Sequence, residues 1–262
     1  MAKKFQLACI QASVEVIDDP ADKKDVIARN IERGLNIAES AIVREEAKII
    51  VFPEAWLQGF NHTRSDQDWE DICIQIPGPE TAKIGAFAKK HQVYVAGAAF
   101  ERDPDWPEVW FTTGFILGPS GEVELRYRKI HEHNLEGLIP NVSPADVLTD
   151  YTSRYGEDSL FPVLDTPYGR LAMMVEHDMN FFELSRVLTF HGAEILLHPT
   201  AEWNGPMVHT LDQARRSRAY ENFIYLASAN AGAIVSKYSA AQASRGCSTV
   251  INYLGNVESA ID

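Results

Sequence analysis

Short apolar, β-prone runs alternate with helical patterns along the whole chain, and this alternation limits the folds open to it. The sequence predicts helices at residues 23–46, 81–91, 182–191 and 211–222. Between them it predicts strands at 5–12, 49–52, 93–99, 110–117, 123–131, 171–175, 195–198, 224–229 and 248–253. A mixture of βα alternation and hairpins is typical of α/β folds.

Turn signals and length indicate one domain over residues 1–262. The Gly-Pro-Ser-Gly sequence at 118–121 predicts a turn between two strands, and residues 254–256 predict a second hairpin close to the end of the sequence. Residues 140–158 form a long polar insertion without a clear period, which is typical of a lid or a binding loop.

Composition argues against several classes of partner. The 24 Lys and Arg residues face 37 Asp and Glu residues, and the formal net charge of -13 predicts repulsion from nucleic acid and from anionic membranes. No apolar run approaches the roughly 18 residues of a membrane span. Three cysteines without a CxxC pair favour a reducing, cytoplasmic environment over a disulfide framework or a cysteine zinc site.

Three predicted strands end in chemically reactive side chains, at residues 51–54, 127–131 and 173–178. In βα folds such groups lie at strand ends and in the loops beyond them. Glu54 follows an apolar strand, and a hydrophobic wall there would raise the pKa of its carboxyl towards that of a general base. Taken alone, Glu54 is more typical of a helix-capping or surface glutamate, and Lys129 of a solvated strand lysine.

Several segments in order resemble the nitrilase, or carbon–nitrogen hydrolase, superfamily over nearly the whole chain. The resemblance rests on ACIQ at 8–11, FPE at 52–54, PSG at 119–121, YRK at 127–129, GRL at 169–171, Asp178 with FFE at 181–183, GAEILLHPTA at 192–201, RAYEN at 218–222 and Ala229-Asn230. It implies an αββα sandwich that pairs into a larger layered dimer. It also implies cleavage of non-peptide C–N bonds by a Glu-Lys-Cys triad that needs no cofactor.

Residue by residue, the resemblance assigns Glu54 as the general base and Lys129 as the group that stabilises the oxyanion. Glu136 lies where some amidase-like members place an additional glutamate. The third triad position departs from the family, because Glu176 stands where the nucleophilic cysteine is expected. Cys9, Cys73 and Cys247 lie elsewhere in the sequence and are interpreted as structural thiols. Thr112 is a further departure, since family members often carry asparagine there.

A glutamate at this position favours acid–base chemistry over covalent catalysis. A carboxylate is a weaker nucleophile than a thiolate, and its attack on an amide would give an anhydride rather than a thioester. Glu54, Glu176 and Glu136 around Lys129 would set three negative charges against one positive charge, so at least one carboxyl should hold its proton near neutral pH. A protonated and an ionised carboxyl together can activate water or move protons.

Four hypotheses follow for the function. The first is an enzyme that hydrolyses, hydrates or cyclises a small amide, nitrile or carbamoyl compound without a thioester. The second is a catalytically silent protein that binds a ligand or partner in the same pocket. The third is a metal-dependent hydrolase using His131 and His133, against which stands the metal-free chemistry of the family. The fourth is an ordinary amidase inactivated by a Cys-to-Glu change.

Candidate substrate contacts follow these strand ends. They are His177 beside Glu176, Trp203 and Asn204 after residues 199–201, His131, and Trp56 and Phe60 after Glu54. Trp203 is as readily interpreted as a tryptophan at the rim of the core, and His177 as a structural histidine. Asp178 and Glu183 are expected to support the turn at Glu176 and the helix that follows it. The expected partners are a small-molecule substrate and further copies of this chain, as a homodimer or higher homo-oligomer.

Overall fold

The computed structural model describes residues 4–132, 139–202, 208–237 and 244–261. Its strands are β1 (Gln6–Cys9), β2 (Ser13–Glu15), β3 (Ala47–Val51), β4 (Tyr94–Glu101), β5 (Phe111–Leu117), β6 (Val123–Arg128), β7 (Leu164–Thr166), β8 (Gly169–Met173), β9 (Ile195–Thr200), β10 (Tyr225–Asn230), β11 (Ala233–Val235), β12 (Thr249–Ile251) and β13 (Val257–Ala260). Its helices are α1 (Lys23–Glu45), α2 (Asp66–Ile72), α3 (Pro79–His91), α4 (Leu148–Tyr155), α5 (Phe182–Phe190) and α6 (Val208–Asn222).

The strands form two large sheets. One sheet has the order β1-β3-β4-β5-β6, and the other has the order β13-β12-β10-β9-β8-β7. Within the first sheet β1, β3 and β4 are parallel, and two antiparallel steps through β5 bring β6 into the same direction. In the second sheet β8, β9 and β10 are parallel. A short parallel pair, β2 with β11, lies beside them.

Strand β3 shows why the sheets stack between layers of helices. Ile50 lies in a core cluster with Ile27 and Ile31 of α1, and Ile84 of α3 lies in the same cluster. The neighbouring Ile49 instead lies in a second cluster that also holds residues of β8 and β9, of α5 and of α6. Because successive side chains of a strand point to opposite faces, β3 contributes to both cores. The result is the αββα sandwich that the resemblance implies.

Most predicted elements are present, with shorter ends for some strands. The predicted strand at 123–131 ends at Arg128, and the second hairpin is formed by β12 and β13. The polar insertion at 140–158 contains the helix α4, which the sequence analysis did not predict. Val147, Tyr151 and Tyr155 have helical spacing and all pack against the small cluster around Trp106 and Phe111, but the period is too short to stand out.

None of the helices in the described ranges is long and apolar enough to cross a membrane.

Candidate active site

Three strand ends bring Glu54, Lys129 and Glu176 together. Glu54 lies just beyond β3, Lys129 directly after β6, and Glu176 just beyond β8. The Lys129 Nζ lies 3.0 Å from Glu54 Oε1 and 3.0 Å from Glu176 Oε2. The Lys129 and Glu54 side chains are only 4% and 2% exposed, while that of Glu176 is 21% exposed. The ammonium therefore bridges two carboxylates, and only Glu176 is substantially open to solvent.

Backbone hydrogen bonds to neighbouring strands fix the first two residues. The amide of Glu54 donates to the carbonyl oxygen of Thr200 in β9, 3.3 Å away in the opposite sheet. The amide of Lys129 donates to Thr112 of β5 at 2.9 Å. The backbone at both residues is thus held by the neighbouring strands.

Glu176 begins a tight turn, Glu176–Asn180, and its φ of 40° lies in the left-handed region. A side chain with a Cβ rarely adopts this conformation, which costs about 1–2 kcal/mol. Its carbonyl oxygen lies 3.1 Å from Nε2 of the buried His198. Burial lowers the pKa of His198 to about 3, so the ring is neutral and Nε2 carries the proton that the carbonyl accepts. Nδ1 is then free to accept from the Ser228 hydroxyl at 2.9 Å.

Asp178 connects this turn by hydrogen bonds to the segment that follows Lys129. Its Oδ2 accepts from the amide of Val175 at 3.0 Å, and its Oδ1 accepts from the amide of His131 at 3.0 Å. The His131 ring also lies 3.0 Å from Asp178 Oδ1 through Nδ1 and stacks on Phe181 at 3.9 Å. The expected supporting role of Asp178 therefore has a direct geometric basis.

Glu132 is a member of this cluster that the sequence analysis missed. Its Oε2 lies 3.7 Å from Lys129 Nζ, and its side chain is 10% exposed. The sequence analysis named Glu136 as the additional glutamate, and Glu136 lies outside the described residues. The sequence offers no clear signal for Glu132, because it lies beyond β6, which ends at Arg128, in a segment without a period.

The pKa values of the buried carboxyls are raised. Burial raises the pKa of Glu54 to about 8, with Lys129 opposing the rise and the charges of Glu176 and Glu132 adding to it. Burial also raises the pKa of Glu132 to about 7, against the attraction of Lys129. For Lys129, burial disfavours the ammonium, but the surrounding carboxylates hold its pKa well above the usual value. These directions support the expectation that a carboxyl of this cluster holds its proton near neutral pH.

The predicted substrate contacts lie in different environments, and two of them lie outside the described residues. His177 is half-buried beside Glu176, where its Nδ1 lies 2.9 Å from Asn180 Nδ2. Trp56 is buried: its ring is 2% exposed and stacks on Phe52 at 4.1 Å within the core under α1, which does not favour direct contact with a substrate. Phe60 is partly buried and packs against the core, edge-on to Phe100 at 5.3 Å. Trp203 and Asn204 lie outside the described residues.

The described parts of the chain contain few groups that could bind a metal or act as a thiolate. No group of three or more His, Cys, Asp or Glu residues there is placed to hold a metal ion, and His133 lies outside them. The three cysteines are free thiols. Burial raises the pKa of Cys9 to about 12 and raises that of Cys73 further, so neither is a thiolate at neutral pH.

Comparisons with known proteins agree on one family. Residues 6–260 match the carbon-nitrogen hydrolase family. The chain is 29% identical over 255 residues to omega-amidase NIT2 of Homo sapiens, covering 97% of this chain and 83% of that protein. It is 31% identical over 227 residues to a formamidase of Bacillus thuringiensis (strain Al Hakam), covering 86% of this chain and 62% of the formamidase.

Solved structures show the same fold. Saccharomyces cerevisiae Nit3, a member of branch 10 of the nitrilase superfamily, superposes with a TM-score of 0.77 at 20% identity, covering 100% of this chain and 89% of Nit3. An amidase from Nesterenkonia sp. AN1, in which acrylamide has added to the active site cysteine, superposes with a TM-score of 0.71 at 20% identity, covering 98% of this chain and 89% of the amidase.

Proposed function

The chain belongs to the carbon–nitrogen hydrolase family, and we propose that it is an enzyme that acts on a small C–N compound without forming a thioester. The observation that carries this proposal is the bridge of Lys129 between Glu54 and Glu176 at 3.0 Å on each side. It combines a base, a cation and a second carboxyl at the ends of three strands, which is sufficient for proton transfer to and from a bound substrate or water.

In this proposal Glu54 acts as the acid and Glu176 acts as the base. Glu54 is enclosed and has a raised pKa, so it can hold a proton near neutral pH. Glu176 is the more exposed carboxyl, and in this role it orients and deprotonates a water molecule that attacks the substrate carbon. Lys129 keeps the two carboxyls together and provides the positive charge that stabilises negative charge developing on the substrate. The same groups could support hydration or cyclisation.

The names of the relatives favour amides among the amide, nitrile and carbamoyl compounds that we propose as substrates. Relatives at 29% and 31% identity are an omega-amidase and a formamidase. For this chain, attack by Glu176 itself would form an anhydride with a poorer nucleophile than a thiolate, so water activation is the better use of this carboxylate. We propose no cofactor.

Ammonia release from a panel of small amides, nitriles and carbamoyl compounds tests the proposal. We expect turnover by the wild-type protein, and loss of most of it in Glu54→Gln and Glu176→Gln. Glu122→Gln is a matched control, because it removes one carboxylate at an exposed position in the turn before β6. Wild-type levels of ammonia release from Glu176→Gln would exclude the proposed role of Glu176.

A protein that binds a ligand without converting it is the second candidate. It is favoured by the pairing of Lys129 with Glu54 and Glu176, because nearby opposite charges stabilise each other whether or not they catalyse. Glu176→Cys separates the candidates. Activity of this variant alone would indicate that the scaffold is an amidase whose present form is a binder or has been inactivated by a Cys-to-Glu change.

We further propose that the protein is a homodimer that works in the reducing environment of the cytoplasm. Large aromatic side chains on α5 and at the end of α6 are exposed, namely Phe182, Phe190, Tyr220 and Phe223 at 54%, 79%, 58% and 69%. Exposed apolar groups of this size commonly mark protein–protein contacts. Light scattering should give a mass of twice 29.3 kDa or a higher multiple, and a monomer would exclude this assembly.

A further inference from the structure

The described part of the site has more negative than positive charge. Three carboxylates, those of Glu54, Glu176 and Glu132, lie 3.0, 3.0 and 3.7 Å from the single ammonium of Lys129. With all four groups ionised, their charges would sum to -2 in a largely enclosed volume. Such charge is costly unless protons or a cationic ligand neutralise it.

Two oxygens of the cluster also need hydrogen-bond donors. Glu54 Oε2 and Glu132 Oε1 are enclosed, and neither has a hydrogen-bond partner within the described ranges. Their side chains are 2% and 10% exposed. Buried acceptors are nearly always satisfied, so these two oxygens indicate a position where a ligand or a proton supplies the donor.

Lys129 has one N–H donor left for a carbonyl group. An ammonium has three N–H donors, and two of those of Lys129 bind the carboxylates of Glu54 and Glu176 at 3.0 Å, while Glu132 lies 3.7 Å away, beyond hydrogen-bond distance. A neutral amide presents a carbonyl acceptor as well as N–H donors, and its carbonyl would compete with carboxylates for this ammonium. An amidinium or guanidinium group presents only N–H donors and carries a positive charge, which matches a set of carboxylate acceptors.

We propose that this site selects a planar C–N cation of the amidinium or guanidinium class over the neutral amide or urea of the same shape. Such a cation also contains a C–N bond of the kind that the proposed enzyme breaks. Any turnover of the cation therefore rests on the proposed function. Hydrolysis would join water to the amidinium carbon and release one nitrogen, giving a neutral amide and ammonium. Atoms and charge balance, with no oxidant or reductant required.

Binding of acetamidinium chloride and of acetamide, measured by calorimetry at matched ionic strength, tests the selectivity. The two ligands have nearly the same shape and differ in charge and in the carbonyl oxygen. At pH 8 we expect acetamidinium to bind at least about tenfold more tightly, equivalent to about 1.4 kcal/mol. Equal binding, or preference for acetamide, would overturn the proposal.

The pH dependence supplies a second readout on the unmodified protein. Glu132 is faced by Lys129 and Asp178, and by the polar side chains of Asn141 and Thr112, whereas Glu54 is faced by Lys129, Glu176 and Glu132. Protonation of these carboxyls removes the excess negative charge. The preference for acetamidinium should therefore fall between pH 8 and pH 6, and its binding at pH 7 should release protons, seen as a dependence of the heat on the buffer. A constant preference with no proton release would contradict the proposal.

Glu132→Gln tests the residue that creates the excess. Replacing this carboxylate by an amide of equal size should reduce the preference for acetamidinium by about tenfold, as expected for one lost charge-assisted contact. Glu122→Gln removes a charge at the exposed turn before β6 and should leave the preference unchanged. Equal effects of the two substitutions would indicate a general effect of net charge and overturn the assignment to this site.

Ammonia release distinguishes this inference from the proposed function. Selective binding of acetamidinium by a protein that hydrolyses none of the compounds would support the selectivity and exclude the enzymatic role. Hydrolysis of neutral amides without selective binding of acetamidinium would support the enzymatic role and exclude the selectivity.

Discussion

The hydroxyl of Tyr127 donates a hydrogen bond to Asp178 Oδ2 at 2.7 Å, and both side chains are completely buried. Tyr127 lies in β6, two residues before Lys129, and Asp178 lies two residues after Glu176. The contact therefore joins the two strand ends whose charged side chains meet in the site. It also adds a donor to the carboxylate that accepts from the amides of Val175 and His131.

Removing this hydroxyl should destabilise the protein and loosen the site. We expect Tyr127→Phe to lower the free energy of unfolding by about 2 kcal/mol, because a buried carboxylate loses one of its donors. Urea denaturation measures this change. Tyr253→Phe is the matched control, since Tyr253 is 41% exposed and its hydroxyl should contribute less than about 0.5 kcal/mol. Similar values for the two variants would show that the Tyr127–Asp178 bond adds no particular stability.

Stability should fall as the pH rises from 6.5 to 8. The folded-state pKa values of Glu54 and Glu132, about 8 and about 7, lie above the ordinary value of 4.5. In this range the folded state holds protons that the unfolded state has released, so raising the pH favours unfolding. The expected loss is on the order of 1–2 kcal/mol for the two coupled groups. Denaturation at several pH values measures it.

The pH range distinguishes the effect of these carboxyls on stability from the effect of His198. The pKa of His198 is lowered by burial from 6.5 to about 3, so His198 contributes stability above pH 6.5 that is lost as the pH falls below it. That slope has the opposite sign and lies on the acid side. Glu54→Gln should flatten the loss above pH 6.5, whereas Glu122→Gln should leave it intact. An unchanged slope in Glu54→Gln would assign the titration to another group.

The backbone at Glu176 predicts an unusual order of stability for two small substitutions. Both Glu176→Ala and Glu176→Gly remove the carboxylate, but only glycine relieves the strain of a φ of 40°. We expect the glycine variant to be more stable than the alanine variant by about 1 kcal/mol. Thermal or urea denaturation of the two proteins gives the difference directly.

The same pair of substitutions at Glu32 provides the reference. Glu32 is exposed within α1, where glycine should be about 1 kcal/mol less stable than alanine. The order of the two variants should therefore reverse between position 32 and position 176. If alanine is the more stable residue at both positions, the turn at Glu176 relaxes without a strained conformation.

The central part of the site could be predicted from the sequence because strands position it. Glu54 and Glu176 follow apolar strands and Lys129 follows an alternating one, and parallel strands bring their ends to one edge of a sheet. Glu54 and Lys129 follow β3 and β6 of the first sheet, and Glu176 follows β8 of the second sheet packed against it. Together with the order of the family motifs, this was sufficient to predict that the three charges meet. The αββα layers followed from the same resemblance, and the burial of β3 on both faces agrees with its continuous apolar run.

Side chains on the connections could not be predicted in the same way. Sequence proximity to Glu54 suggested Trp56 as a substrate contact, but the left-handed backbone at Ala55, with a φ of 49°, accompanies a turn in which the indole enters the core. Likewise, Glu132 follows Lys129 in a segment without a period, and no pattern indicates that its carboxylate turns towards the ammonium. These choices depend on loop conformation, which hydrophobic periodicity does not determine.

Arg128 should be the residue that holds α4 against the first sheet. Its guanidinium donates to Glu101 Oε2 at 2.9 Å and to Asp103 Oδ2 at 2.6 Å. It also lies 4.4 Å from the centre of the Phe111 ring and 4.3 Å from that of Tyr155 in α4. Because Glu101 is fully buried, Arg128→Met would leave its carboxylate without its main partner.

We expect Arg128→Met to lower the free energy of unfolding by about 3–5 kcal/mol, because one member of a buried ion pair is removed. Hydrogen exchange should become faster in α4, since Tyr155 loses the guanidinium that lies 4.3 Å from the centre of its ring. Arg102→Met is the comparison, because Arg102 pairs with Glu70 at 3.5 Å with both side chains more than one third exposed, and should cost at most about 1 kcal/mol. Unchanged exchange in α4 of a destabilised Arg128→Met protein would show that other contacts hold this helix in place.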